Sequence, residues 1–140
     1  IMTTRFENKN DLNRENKSCL FFCNLYNYTF EKLGDNDIDF KIYDKDKNFI
    51  FYLEVKGRLK KISDAYPLPV AIRKLLKMSD KKKQGVILWS CDDGIIFSRI
   101  EKLKGDIKQG GRKPRNNSAN DIELMAYYKK QNKLIEIKFK

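Results

Sequence analysis

Three side chains form a chemical set: Asp39, Glu54 and Lys56. Two carboxylates can hold a hard divalent cation through oxygen. An ammonium group can hold an anion or, once deprotonated, take a proton. Glu54 and Lys56 are one residue apart in the run 49–58, whose alternation and aromatic and β-branched content predict a strand. The run 37–43 alternates in the same way, and 45–48 reads as a four-residue hairpin loop between them. Alternation puts Glu54 and Lys56 on one face and Leu53 and Val55 on the other. Pairing Asp44 with Phe49 sets Tyr43 against Ile50, Lys41 against Tyr52 and Asp39 against Glu54. Opposed residues share a face, so two carboxylates and an ammonium meet on one patch, and a one-residue slip would scatter them. Asp37 shares the face of Asp39, and parity does not choose between them. Asp39 is preferred because Asp37 would oppose Lys56. Such a face can be a solvated Lys–Glu surface, but its strongly hydrophobic strand favours a metal site.

Asp39 followed, after a hairpin-length gap, by Glu54-Val55-Lys56 resembles the signature of the PD-(D/E)XK nuclease superfamily, with Ile38 standing where the name has Pro. The resemblance implies a restriction-endonuclease-like αβββαβ core, with a central mixed sheet flanked by helices, over about residues 11–91. It implies Mg²⁺ held by Asp39, Glu54 and the Val55 carbonyl, with Mn²⁺ able to substitute. Lys56 would then position or help deprotonate the attacking water and stabilise the pentacovalent charge. Glu15 falls on the inward stripe of a predicted helix, where a carboxylate is costly without a cation. A first-turn Glu favoured by the helix dipole is the other account. The resemblance makes Glu15 a further ligand. The implied activity is metal-dependent hydrolysis of DNA phosphodiesters. Among superfamily members, a small basic chain resembles phage-encoded and Holliday-junction-resolving endonucleases. That implies selectivity for branched DNA, a role in recombination, and a homodimer.

Charge agrees with a polyanionic partner. The net charge is +11, with 30 Lys and Arg against 19 Asp and Glu. Residues 1–56 carry 9 basic against 10 acidic groups, and residues 57–140 carry 21 against 9. A basic half joined to a carboxylate-bearing half suits a phosphate-backbone binder: cations hold the strand, and acids hold a metal against it. Arg58, Lys60, Lys61, Arg73, Arg112, Lys113 and Arg115 are the candidate DNA contacts. The chain has no His, which excludes Ser-His-Asp and Cys-His mechanisms and His-based metal hydrolysis. Cys19 and Cys23 are at i, i+4, but with only Cys91 to join them a zinc site is disfavoured, and reduced, buried thiols are expected. No run approaches the ~20 apolar residues of a membrane span. With no apolar leader segment, the expected location is the cytoplasm, or the host cytoplasm for a viral protein.

The positioning elements follow in order. Asn10-Asp11 caps a helix over 11–25, with Leu12, Cys19, Phe22, Cys23 and Tyr26 on one stripe. Residues 28–33 alternate as a first strand ahead of the 37–43 and 49–58 hairpin. Residues 70–83 read as a helix with Val70, Leu75, Leu76 and Ser79 inward, closed by Lys81 to Lys83 and Gly85. Residues 86–89 form a buried apolar strand, and Asp92-Asp93-Gly94 turns the chain into a strand over 95–100. Residues 105–120 form a basic, Gly-containing loop, either a clamp over phosphates or an ordinary exposed loop. Ser118 and Asp121 resemble a capping box for a helix over 120–131, with Ile122, Met125 and Tyr128 inward, and 134–139 closes as a strand. The fold class is mixed α/β (α+β), in one domain of 140 residues.

Overall fold

The computed structural model describes residues 9–34, 38–79, 85–111 and 122–140. Helix α1 (Lys9–Tyr26) ends where Asn27 takes φ 61°, and the Tyr28 N–H donates to the Cys23 carbonyl at 2.9 Å. That left-handed cap satisfies a carbonyl the helix leaves open. Three strands follow: β1 (Thr29–Lys32), β2 (Phe40–Tyr43) and β3 (Phe49–Gly57). The crossover from β3 contains β4 (Leu68–Ala71) and helix α2 (Ile72–Ser79), then β5 (Gly85–Ser90). The chain continues through β6 (Gly94–Arg99), β7 (Asp106–Gly111), β8 (Ile122–Tyr128) and β9 (Ile135–Lys138). Helix, three strands, helix, strand is thus the order of the first elements, with β4 added before α2.

Six strands form a mixed sheet in the order β1-β2-β3-β5-β6-β9, in which only β3 and β5 are parallel. A second, antiparallel sheet has the order β4-β8-β7. Alternation sorts the core. Leu53, Val55, Val86, Leu88, Ile95 and Phe97 meet Cys19, Phe22 and Cys23 of α1. Ile87, Trp89 and Ile96 face the other way, onto Leu68 and Val70 of β4 and Ala126 and Tyr128 of β8. The apolar run of β5 is therefore buried on both faces, as a strand with a layer on each side must be. Trp89 Nε1 donates to the Pro69 carbonyl at 2.8 Å, fixing the small sheet against the large one.

Five expectations need correction. Residues 122–128 are strand β8 rather than part of a helix, because β4 and β7 pair with it on either side. Residues 106–111 form β7 rather than part of a loop, and the rest of the expected basic loop, with Ser118 and Asp121, lies outside the described residues. Helix α2 starts at Ile72, and Val70 is buried in β4 instead. Within α2, Met78 is the buried residue, whereas Leu76 and Ser79 are exposed. In the hairpin, Lys41 does oppose Tyr52, but a bulge pairs Tyr43 with Phe49 rather than Ile50. Lys81, Lys82 and Lys83 also lie outside the described residues.

Candidate active site

Phe40 pairs with Leu53, so the same register carried one step further sets Asp39 beside Glu54, beyond the last residue of β2. A hydrogen bond fixes it there: the Val55 N–H donates to Asp39 Oδ2 at 2.8 Å. Lateral pairing places Glu54 beside Ile87 and Lys56 beside Trp89, on the face that meets α2 and the small sheet. Val55, between them, points into the α1 core. Strand alternation thus puts an apolar anchor between the two candidate side chains and holds their backbone.

The two carboxylates are held differently. Glu54 is buried, and its Oε2 lies 3.1 Å from Lys74 Nζ of α2. Its Oε1 is also buried and has no hydrogen-bond partner among the described residues. A buried carboxylate oxygen with an unused lone pair is costly unless something meets it. Asp39 is pushed up to about 6, first by burial and then by the neighbouring charge of Glu54. The Val55 N–H and the cations of Lys32 and Lys74 pull in the other direction. Lys56 is pushed below its ordinary value by burial, reinforced by the like charges of Lys74 and Arg73. Its ammonium therefore gives up a proton more readily than a surface lysine does.

Glu15, on α1, reaches the same region: Lys32 Nζ of β1 lies 2.7 Å from Glu15 Oε1 and 3.8 Å from Asp39 Oδ1. Lys32 also lies over the Phe40 ring at 4.9 Å from its centroid. A Cβ at Gly57 would meet Arg14 Nη1 at 3.4 Å, so the described start of α1 lies at the C-terminal end of β3. Sequence reasoning assigned no role to Lys32 or Lys74. Only the fold aims one at Asp39 and Glu15 and the other at Glu54, although the outward side of β1 and the basic composition of α2 put both lysines within reach.

The candidate DNA contacts divide. Lys60 and Lys61 are exposed just past the end of β3. Arg58 is engaged within the fold: its Nε donates to the Ala65 carbonyl at 2.8 Å and its Nη2 to the Pro67 carbonyl at 3.3 Å. Arg73 is mostly exposed and pairs with Glu123 at 3.0 Å. Arg112, Lys113 and Arg115, like Asp37, lie outside the described residues.

Among the described residues no three His, Cys, Asp or Glu side chains gather as a metal cage. A cation at the acid pair would take Asp39, the open Oε1 of Glu54, the Val55 carbonyl, and oxygens from water or a substrate phosphate. One or two carboxylates completed by water and phosphate are the usual surroundings of Mg²⁺. Among the described residues no helix is long and apolar enough to cross a membrane. Compared with protein-family models, curated proteins and solved structures, the chain matches none.

Proposed function

We propose that the protein is a Mg²⁺-dependent DNA endonuclease of the PD-(D/E)XK type, structure-selective and similar to the phage and junction-resolving enzymes. One observation carries the reading: Asp39 and Glu54 meet where β2 ends beside β3, Lys56 shares the face of Glu54, and the buried Glu54 Oε1 has no partner among the described residues. The parallel β3–β5 pair crossed through α2, with α1 on the opposite face, is compatible with a restriction-endonuclease-like core.

The donor set is hard oxygen, which suits Mg²⁺ or Mn²⁺. When bound, the metal supplies Lewis acidity and a more acidic water. Asp39 and Glu54 fix where the scissile phosphate can sit, and their burial strengthens charge interactions there by excluding water. Lys56, shifted toward its neutral form, takes a proton from the attacking water, or as a cation holds the phosphate oxygens. Glu15 and Lys32 hold the outer side of Asp39. Lys60 and Lys61 extend positive charge along the bound strand.

A second reading has its own support. Lys32 and Lys74 already lie against the carboxylates, as in a nuclease-fold module that binds nucleic acid without cutting it. Incubation with branched, flapped, single-stranded and linear duplex DNA, with Mg²⁺ or a chelator, separates the two. Metal-dependent cleavage lost in both Glu54→Ala and Lys56→Ala is the expected result. Tight, salt-sensitive binding with no cleavage, unchanged by either substitution, would leave the binding module.

A further inference from the structure

A concavity lies on the α1 face of the large sheet, opposite the Glu54 and Lys56 side chains and nearer the start of β3 and β5 than the acid pair. It is a cleft of about 310 Å³, within the range of roughly 300–1,000 Å³ typical of ligand sites. Its wall is aromatic. Tyr26 and Tyr28 are stacked, with centroids 5.6 Å apart and planes at 25°, and Phe97 meets Tyr26 edge-on at 6.0 Å. Its rim is cationic, with Arg99 at the end of β6, Lys102 in the 3-10 turn that follows, and Lys133 before β9. No carboxylate lines it among the described residues, and none of these three cations takes part in a described ion pair. Tyr26 stays 41% exposed although it ends the buried stripe of α1.

We propose that this cleft takes an unpaired nucleotide of a nucleic acid strand. The base lies against the Tyr26–Tyr28 wall, and the flanking phosphates meet Arg99, Lys102 and Lys133. Stacked rings offer a flat π face that every base can use, and cations around an aromatic floor are what single-strand sites combine. An anionic amphiphile would also find an apolar floor and a basic rim. The paired, near-parallel tyrosine rings and the surplus charge of residues 57–140 favour the polymer. The inference rests on the nucleic-acid reading above and sharpens it: the substrate would carry an unpaired base as well as a backbone to be cut.

The test is fluorescence anisotropy of a labelled oligothymidylate of about 12 nucleotides, and of a duplex, as salt is raised. The proteins are the wild type, Tyr26→Ala, Tyr26→Phe, Lys102→Glu/Lys133→Glu, and Lys60→Glu/Lys61→Glu as a control away from the cleft. Expected are a roughly tenfold weaker affinity for the single strand in Tyr26→Ala, with recovery in Tyr26→Phe. The Lys102/Lys133 pair should show weaker binding with a shallower salt dependence. Both residues are exposed, so that variant keeps the test decisive if Tyr26→Ala fails to fold. Single-strand affinity unchanged in the Lys102/Lys133 pair would overturn the cleft, as would competition for it by oleate but not by thymidine 5′-monophosphate. If the wild type still cleaves duplex, the nuclease reading survives that result. If no DNA binds at all, both fall.

Discussion

The Glu54 and Lys56 side chains and the aromatic cleft sit on opposite faces of one sheet, and the acid-pair site and the cleft handle charge in opposite ways. At the acid pair each carboxylate meets a lysine: Lys32 reaches Glu15 and Asp39, and Lys74 reaches Glu54. Burial nonetheless shifts two of the site's groups, Asp39 upward and Lys56 downward. At the cleft, three exposed cations surround rings and face no described carboxylate. A site where opposite charges are forced together in a dry place is suited to changing protonation states. One with surplus cations over aromatic rings is suited to holding a polyanion. The first is where chemistry is expected, the second where affinity is.

The largest effect that can break this division is kinetic. Lys56→Ala should lower kcat on cleavable DNA by about 10²–10⁴-fold, the range for loss of a general acid–base group, with KM nearly unchanged. Lys102→Glu/Lys133→Glu should do the reverse, raising KM several-fold and leaving kcat within about a factor of two, since uniform binding is what it removes. Steady-state rates on a substrate with an unpaired stretch decide it. A KM effect from Lys56→Ala, or a kcat effect from the cleft variant, would merge the two sites.

Next in size is the cost of stranding a buried carboxylate. Lys74→Met leaves Glu54 without its cation, beside an oxygen that has no partner among the described residues. Breaking a buried ion pair costs about 3–5 kcal/mol. Lys74 is 31% exposed and solvent screens part of the pair, so about 2–4 kcal/mol is expected from urea unfolding. Adding Glu54→Gln should restore most of it, because the uncompensated charge is gone. A loss that stays in the double variant would mean Lys74 stabilises by packing alone.

How much of this was legible follows from how local each signal is. The strand character of 49–57, the shared face of Glu54 and Lys56, and the inward Val55 all follow from period-two alternation within nine residues. The buried run of β5 was legible for the same reason. Strand β8 was not, since Ile122, Met125 and Tyr128 fit a helical stripe equally well. What decides it is pairing with β4, more than fifty residues away in sequence. Strand β4 was hidden by Pro69, which looks like a breaker. At the edge of its sheet, with β8 as its one neighbour, β4 can accept a residue lacking an N–H. Lys32 and Lys74 were plain surface lysines until the fold aimed them, one from a strand and one from a helix, at the same pair of acids.

The smallest effect tests the same crowding through pH. Asp39 titrates at about 6 in the fold and at about 4 in the unfolded chain. Between those values the folded state keeps a proton that the unfolded state has lost. Its ionisation therefore opposes folding: the stability Asp39 contributes is full below pH ~4, falls as pH rises to ~6, and stays lost above. Two pH units set a ceiling of about 3 kcal/mol, and coupling to Glu54 makes about 1–2 kcal/mol the expected size. Asp39→Asn keeps an oxygen for the Val55 N–H and removes the charge. It should therefore unfold at higher urea than wild type at pH 8, with the gap closing by pH ~4. Mg²⁺ at pH 8 should raise the wild-type midpoint and leave the variant's nearly unmoved, because a cation relieves the crowding that the substitution has already removed. A wild type that gains stability from pH 4 to 6 relative to Asp39→Asn would mean that Lys32 and Lys74 outweigh Glu54, and that the acid pair is neutralised from within.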